Sequence, residues 1–293
     1  MAYTKLIPRQ TSGAQVEEIS GGDRREAYRL SIPAGLADKY RLSQLDDYPQ
    51  LKRSRFPWRF PLSLSLSAQA SSDSIPGTWG FGLWNDPFGL SLGFGGNALR
   101  LPTLPNAAWF FGASKENYLS FRPERSDATQ SKGTLQEALR LHSTQREIAA
   151  NGFLAQIFRS PRFHPLLIPA GLALPFSRKR TRYLLGKIIE EDGIQLWGEK
   201  ASSPETQQQA VGLQRVDPTQ WHRYKLHWRE NGVSFEVDDV QVFESRVSPN
   251  PPLGLVIWID NQYAAFTPEG KIGFGVLENP EPAWLEIKDI DIA

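Results

Sequence analysis

The sequence predicts an all-β protein: a two-sheet antiparallel β-sandwich of jelly-roll type, with a short helical and proline-rich excursion. Three observations support this fold class. Residues 62–67 alternate strictly between leucine and serine, which is the period of a half-buried strand. Further short apolar segments follow it along the chain. They are separated by turn signals drawn from 22 prolines and 24 glycines, a pattern typical of sandwiches and jelly rolls.

A second strand is predicted in the aromatic segment TWGFGLW at 78–84. Strand alternation gives it one apolar face, with Trp79, Phe81 and Leu83, which we expect to lie in the core. The opposite face carries two glycines and ends in Trp84. Glycines on that face leave a shallow trough, which admits either a ligand or a neighbouring side chain.

The C-terminal third contains the clearest strands. Asn231-Gly232 is a turn signal between two of them and predicts a hairpin. In a later strand, alternation places Trp258, Asp260 and Gln262 on one face, where they offer a stacking ring, a hydrogen-bond acceptor and an amide. The predicted strands are 224–228, 232–237, 254–263, 271–278 and 283–292.

An excursion interrupts the strand pattern at about 124–182. Residues 134–153 have helical periodicity with Gly152 as a stop signal, and residues 163–176 are apolar and broken by prolines. We predict that this excursion crosses over the sandwich, so that residues 1–293 form a single domain.

Composition excludes several classes of partner. The chain has 293 residues, of which 40% are hydrophobic, enough for a sizeable core. Its 33 Lys and Arg and 32 Asp and Glu leave a net charge of +1, so neither a nucleic-acid nor a membrane partner is predicted. We interpret the local basic runs at 52–59 and 178–182 as solvated surface.

No metal or cofactor is predicted. The chain has no cysteine, which excludes disulfides and thiolate ligands, and its four histidines lack metal-ligand spacing. The N-terminal residues contain no apolar stretch of the signal-peptide type, and no run is long enough to span a membrane. A cytoplasmic protein is therefore expected.

Several segments together resemble the concanavalin A-like lectin/glucanase group. The segment WHRYKLHWRENGVSFEVDD at 221–239 is similar to a strand and hairpin of that group. Residues 252–264 are similar to its concave-face strand, 284–292 to its closing strand, and 77–85 to the strand before its catalytic strand. The resemblance spans about 77–293 and implies a jelly-roll fold with a carbohydrate-related function.

The catalytic acids of the group's glucanases are not found where the resemblance places them. Those enzymes use a Glu-x-Asp-x-Glu type strand, whereas residues 107–111 here read Ala-Ala-Trp-Phe-Phe, and the nearest acid is Glu116. Two other acid pairs, in FEVDD at 235–239 and IIEEDG at 188–193, are both predicted to be turns. A standard laminarinase-type hydrolase is therefore not expected.

The lyases of the same fold offer a second comparison. Residues 153–160 are similar to their Gln-Ile-His strand and place Gln156 at the glutamine, but Phe158 stands at the histidine. Tyr263 matches their tyrosine. The resemblance thus leaves lyase-like chemistry open, with one of its three residues missing.

Two functions remain open from sequence. One is a carbohydrate-binding or glycan-processing protein. The alternative is a small-molecule-binding protein or enzyme with an aromatic pocket that acts on an apolar metabolite. Trp84 and Trp258 are predicted to be neighbours that sandwich a ligand ring. The candidate catalytic residues are Asp260 and Tyr263. The candidate ligand-binding residues are Trp84, Asn85, Trp109, Gln156, Trp258 and Gln262.

Overall fold

The computed structural model confirms the predicted all-β sandwich. Two seven-stranded antiparallel sheets pack face to face, and a small two-stranded sheet stands beside them. The structure describes residues 5–19, 26–87, 103–118, 120–121, 151–161, 177–198, 215–267, 269 and 271–293.

Sheet A has the strand order β1-β4-β13-β6-β7-β8-β9. Its central strands are almost fully buried, because both of their faces are covered. The strands are β1 (Ile7–Gln10), β4 (Leu42–Asp46), β6 (Thr78–Trp84), β7 (Ala107–Ala113), β8 (Gly152–Arg159), β9 (Glu190–Trp197) and β13 (Gly254–Asp260).

Sheet B has the strand order β12-β11-β10-β5-β16-β3-β2. An α-helix, α1 (Arg178–Ile188), leads into β9, and the small sheet is the hairpin β14 (Gln262–Phe266) and β15 (Ile272–Val276). The strands of sheet B are β2 (Gln15–Glu18), β3 (Ala27–Ile32), β5 (Leu62–Ala70), β10 (His222–Arg229), β11 (Gly232–Val237), β12 (Val240–Ser245) and β16 (Ala283–Ile292).

The core between the sheets follows the alternation read from the sequence. Leu64 and Leu66 of β5 are buried, while the serines between them are half-buried. Phe81 of β6 packs with Phe110 of β7 and Tyr224 of β10, at ring-centroid distances of 5.5 and 5.0 Å. The predicted core face of β6 is therefore confirmed.

Turn chemistry was also predicted correctly at both hairpins of sheet B. The turn before Gly232 joins β10 to β11. Asp238 and Asp239 form the turn between β11 and β12 with φ of 51° and 63°, left-handed values that aspartate tolerates. The FEVDD acids thus belong to a hairpin.

The acid pair in IIEEDG was wrongly predicted to be a turn. Residues 190–197 form the edge strand β9, which pairs with β8 along its whole length. Tertiary contacts hold the acids in the strand. Glu191 accepts a hydrogen bond from the Phe121 amide at 2.8 Å, and Asp192 accepts one from the Ser245 hydroxyl at 2.6 Å.

The strand predicted at 254–263 is also shorter than expected. It stops at Asp260, because the buried Asn261 side chain accepts from the Arg41 amide and donates to the Lys39 and Leu277 carbonyls. The chain then turns into the separate hairpin. Gln262 therefore does not continue the face of Trp258, contrary to prediction.

The excursion is only partly described. Residues 122–150 and 162–176, which hold most of the predicted helix and proline-rich segment, lie outside the described residues. Between them, Gly152 starts β8 with φ of 88° instead of closing a helix. The basic run at 178–182 begins α1. Its Arg182 is buried, contrary to the predicted surface role, and donates to the Ser120 and Phe266 carbonyls.

Candidate functional site

The outer face of sheet A, which points away from sheet B, carries a second apolar cluster. Five aromatic residues on four adjacent strands form its centre, and we call them the aromatic cluster. Tyr48 and Phe56 pack at its margin, and helix α1 contributes Leu185. The aromatic cluster consists of Trp84, Trp109, Phe111, Phe158 and Trp258.

Strand register explains why these rings meet. Trp258 of β13 is paired with Gly80 of β6, and Gly80 is paired with Phe111 of β7. In the neighbouring row, Gly82 is paired with Trp109. The space beside Gly80 is filled by the Trp258 indole, and the space beside Gly82 is closed by the Cα and Cβ atoms of Trp109. The trough predicted from the glycines is occupied by neighbouring side chains.

The predicted proximity of Trp84 and Trp258 is present in the structure. Their rings lie nearly parallel, 4° apart, with centroids separated by 6.1 Å. A third ring inserted between them would need van der Waals contact of about 3.5 Å on each side, or roughly 7 Å between the two planes. The pair therefore cannot sandwich a ligand ring, and that part of the prediction is wrong.

Gly80 tests this packing directly. A Cβ atom there would overlap the Phe110 carbonyl oxygen and approach the Trp258 ring to 3.0 Å. We expect Gly80→Ala to lower the free energy of unfolding by about 1–3 kcal/mol, as overpacking does. Gly273→Ala in the hairpin is the control, because its Cβ would meet only the Tyr263 ring at an ordinary 3.4 Å. Equal urea midpoints for the two variants would contradict the assigned packing.

Among the described residues, two buried polar atoms that include one donor and one acceptor stand out on this face because they have no hydrogen-bond partner. One is the indole Nε1 of Trp109, a donor, and the other is Oδ1 of Asp46, an acceptor. Both residues are buried, at 5% and 0% exposure. They lie on one row of the sheet, Asp46-Val256-Gly82-Trp109, about 14 Å apart at the usual strand spacing.

Asp46 is held by its other oxygen. Oδ2 accepts a hydrogen bond from Gln44 Nε2 at 2.6 Å and lies 3.5 Å from Arg9 Nη1. Burial raises the pKa of Asp46, while Gln44 and Arg9 oppose the rise and the charge of Asp86 adds to it. The carboxyl group is thus held through Oδ2, while Oδ1 is left without a hydrogen bond among the described residues.

Asp47 faces the opposite way from Asp46. Its oxygens accept hydrogen bonds from the Trp58 indole and from the Leu255 amide, the latter at 3.0 Å. Burial raises the pKa of Asp47 to about 7, although both hydrogen bonds work against the rise. These contacts tie β4 to β13 and to the loop before β5, so Asp47 has a structural role.

Tyr48 connects Asp46 to the aromatic cluster. Its ring fills the space over Gly254, and its hydroxyl accepts a hydrogen bond from the Trp84 indole. Burial raises the pKa of Tyr48 well above the ordinary value, and the charges of Asp46 and Asp86 add to this. The phenol therefore stays neutral and positions Trp84.

Asp260 lies at the other end of the outer face and is fully engaged. Its Oδ1 accepts hydrogen bonds from the Thr78 hydroxyl, at 2.8 Å, and from the backbone amides of Thr78 and Gln262. Its Oδ2 accepts a hydrogen bond from the Tyr40 hydroxyl at 3.2 Å. The Thr78 oxygen in turn accepts from the Trp258 indole at 3.0 Å. Burial raises the pKa of Asp260 to about 6, and its hydrogen bonds limit the rise. The hydrogen bonds from Asp260 to Thr78 and from Thr78 to Trp258 orient the Trp258 ring.

The remaining predicted residues are distributed around the face. Gln156 is buried beside Trp109 on the next strand. The Asn85 side chain is used within its loop, where it donates to the Leu104 carbonyl and accepts from the Asn106 amide. Tyr263 lies in the hairpin, with its ring against Gly275. The catalytic role of Asp260 and Tyr263 stays a prediction.

Sequence reasoning missed Asp46 and Tyr48. The segment LSQLDDY at 42–48 mixes polar and apolar residues, and the structure buries all of it. A pair of adjacent acids followed by an aromatic residue was the available signal. Among the described residues, no group of three or more His, Asp or Glu is arranged to hold a metal ion. None of the helices in the described ranges is long and apolar enough to cross a membrane.

No protein-family model matches the chain, and a search of curated proteins found no match. Among solved structures, it is similar to a glycoside hydrolase family protein from Mycobacterium thermorestibile, at 10% identity and a TM-score of 0.43, over 100% of this chain and 94% of that one. A glycoside hydrolase family 16 endo-glucanase from Bacteroides ovatus matches at 9% identity and 0.44, over 99% and 96%. LamAcat from Zobellia galactanivorans matches at 10% and 0.40, over 94% and 90%.

The two-sheet antiparallel sandwich confirms the fold class that the sequence predicted.

Proposed function

We propose that this protein binds a short, hydroxylated ring ligand of the carbohydrate class at the outer face of sheet A. The observation that carries the proposal is the pair of buried, unpartnered polar atoms beside the aromatic cluster, Trp109 Nε1 and Asp46 Oδ1. A buried donor or acceptor without a partner costs free energy. A sugar hydroxyl is both donor and acceptor, and so suits both atoms.

The aromatic cluster supports the same ligand class. Ligand sites combine aromatic walls with a few placed polar groups, and an indole face suits the apolar face of a sugar ring. An apolar metabolite, the alternative function, would contact the rings but leave both polar atoms unpartnered. The two orphan atoms therefore favour a saccharide over an apolar compound.

Burial favours a small ligand over a polymer. Trp109 and Trp258 are at most 6% exposed, whereas an open groove for a glycan chain would leave its aromatic walls accessible. Trp84 is the least buried of the three tryptophans in the aromatic cluster. We propose that the ligand enters beside Trp84 and that Asp260, acting through Thr78, holds Trp258 in place.

The expected result of Trp109→Phe is weaker saccharide binding with a modest loss of stability. The substitution keeps an aromatic ring and removes the indole N–H, so affinity should fall about 3- to 10-fold, the effect of one hydrogen bond. The free energy of unfolding should fall because the smaller ring leaves a cavity, but by less than at a buried tryptophan whose N–H is hydrogen-bonded, since the Trp109 N–H has no partner among the described residues. Titration calorimetry with monosaccharides, disaccharides, a β-glucan polymer and an apolar terpenoid measures the affinities.

Trp228→Phe is the matched control. Trp228 is also buried, but its indole donates to the Ser248 hydroxyl at 3.1 Å in the core between the sheets. This variant should lose stability and keep its saccharide affinity. Binding of the terpenoid but of no saccharide would overturn the proposal, as would tight binding of the polymer alone.

A further inference from the structure

Strand β15 is an edge strand with unpaired backbone groups. It pairs with β14 alone in the part of the chain that the structure describes. The Thr267 amide donates to the Lys271 carbonyl and the Leu277 amide to the Asn261 carbonyl. These bonds fix the alternation of the ladder, so Ile272, Phe274 and Val276 direct their N–H and C=O groups away from the hairpin.

The same residues present an apolar surface. Phe274 is 53% exposed and Ile272 is 37% exposed. Gly273 and Gly275 separate the apolar residues, so the sequence Ile-Gly-Phe-Gly-Val contains no charge and no proline. Long apolar edges with free backbone groups are templates for pairing with another strand.

The edge strands of the two large sheets differ from β15 in this respect. Proteins protect edges with charges and proline, and each of those four strands carries such a residue. β1 contains a proline and an arginine, and β2 contains two glutamates. β9 starts with three acids, and β12 contains a glutamate. Protection is thus missing from β15 alone among these five strands.

We propose that β15 pairs antiparallel with β15 of a second copy of this chain, which joins the two hairpins into a four-stranded sheet. Centring the pair on Phe274 is the register in which all three outward residues of both copies are paired. Phe274 of one copy lies opposite Phe274 of the other, and Ile272 lies opposite Val276. This pairing is self-complementary, as a two-fold interface requires. It does not depend on the proposed ligand.

Charge favours a second copy in this orientation. The exposed Lys271 precedes the strand and the exposed Glu278 follows it. Antiparallel pairing centred on Phe274 places Lys271 opposite Leu277 of the other copy, one residue from Glu278, so opposite charges lie near each other at both ends of the interface. Parallel pairing would place like charges together and is disfavoured.

Sedimentation velocity across the micromolar range tests the pairing. We expect the wild type to shift from one-chain to two-chain mass as concentration rises, and Phe274→Lys to remain at one-chain mass. Val240→Lys is the matched control, because Val240 is also 53% exposed and also lies on an edge strand, β12. That variant should associate as the wild type does. Circular dichroism checks that each variant is folded.

A mixing experiment tests the register. Phe274→Glu alone should also stay at one-chain mass, because two like charges would face each other. An equal mixture of Phe274→Lys and Phe274→Glu should recover two-chain mass, since the opposite charges then meet across the axis. A wild type that stays at one-chain mass throughout overturns the proposal. So does association of Phe274→Lys alone, or a mixture that fails to associate.

Discussion

Trp258→Ala is expected to lower the free energy of unfolding by about 3–5 kcal/mol, the cost of emptying a buried aromatic site. Trp258 is 6% exposed and packs against Trp84, Trp109 and Phe111, with ring centroids 5.6–6.1 Å apart. Its indole also donates to the Thr78 hydroxyl. Chemical denaturation followed by circular dichroism measures the loss.

Trp221→Ala is the matched control for this substitution. Trp221 is 40% exposed just before β10, and the Lys288 ammonium lies over its ring, 4.1 Å from the ring centroid. Its loss should cost less than about 1 kcal/mol. Equal effects of the two substitutions would mean that the outer face of sheet A does not behave as a packed cluster, and would weaken the argument for a small enclosed ligand.

The sequence predicted the parts of the fold that depend on local patterns. Alternation in β5 and β6 identified the core face, and Asn231-Gly232 and Asp238-Asp239 identified the hairpins. The first four strands were not predicted. β4 is buried at every position although it reads LSQLD, because cross-sheet hydrogen bonds such as that from Ser43 to the Gln15 carbonyl satisfy its polar groups. Such partners are set by tertiary structure and leave no period in the sequence.

In the candidate site, too, local patterns predicted some features, whereas others are set by tertiary contacts. Alternation placed Trp84 and Trp258 on outward faces of their strands, and the sheet register brings them together. The register itself cannot be read from one strand, so the sequence left open whether a ligand or a neighbouring side chain fills the glycine trough. It also did not show that Trp109 packs against both Trp84 and Trp258. The position of Gln262 was predicted wrongly because Asn261 ends the strand. Asn261 does so through hydrogen bonds to Arg41, Lys39 and Leu277, which lie outside the strand and cannot be identified as its partners from the local sequence.

Asp47→Asn is expected to change how stability depends on pH. Burial holds the pKa of Asp47 at about 7 in the folded protein, against an ordinary value of 3.8. Between these values the folded state binds more protons than the unfolded state. The contribution of Asp47 is therefore fully present below about pH 4 and is lost as the pH rises through about 7. At about 1.4 kcal/mol per pH unit, the loss is about 4 kcal/mol.

The pH slope separates this effect from the lost hydrogen bonds. The Trp58 indole and the Leu255 amide donate to different oxygens of Asp47. Asparagine has only one side-chain oxygen, so Asp47→Asn loses one of these hydrogen bonds and is destabilised by the same amount at every pH. The difference in unfolding free energy between wild type and variant should nevertheless shrink by about 4 kcal/mol from pH 4 to pH 8, as the wild type alone loses stability.

Asp239→Asn is the control. Asp239 is exposed and hydrogen bonding to Lys225 lowers its pKa, so its titration is complete below this window. A difference that stays constant from pH 4 to pH 8 for Asp47→Asn would show that this carboxyl group is ionised throughout, and that its burial is compensated by the two donors.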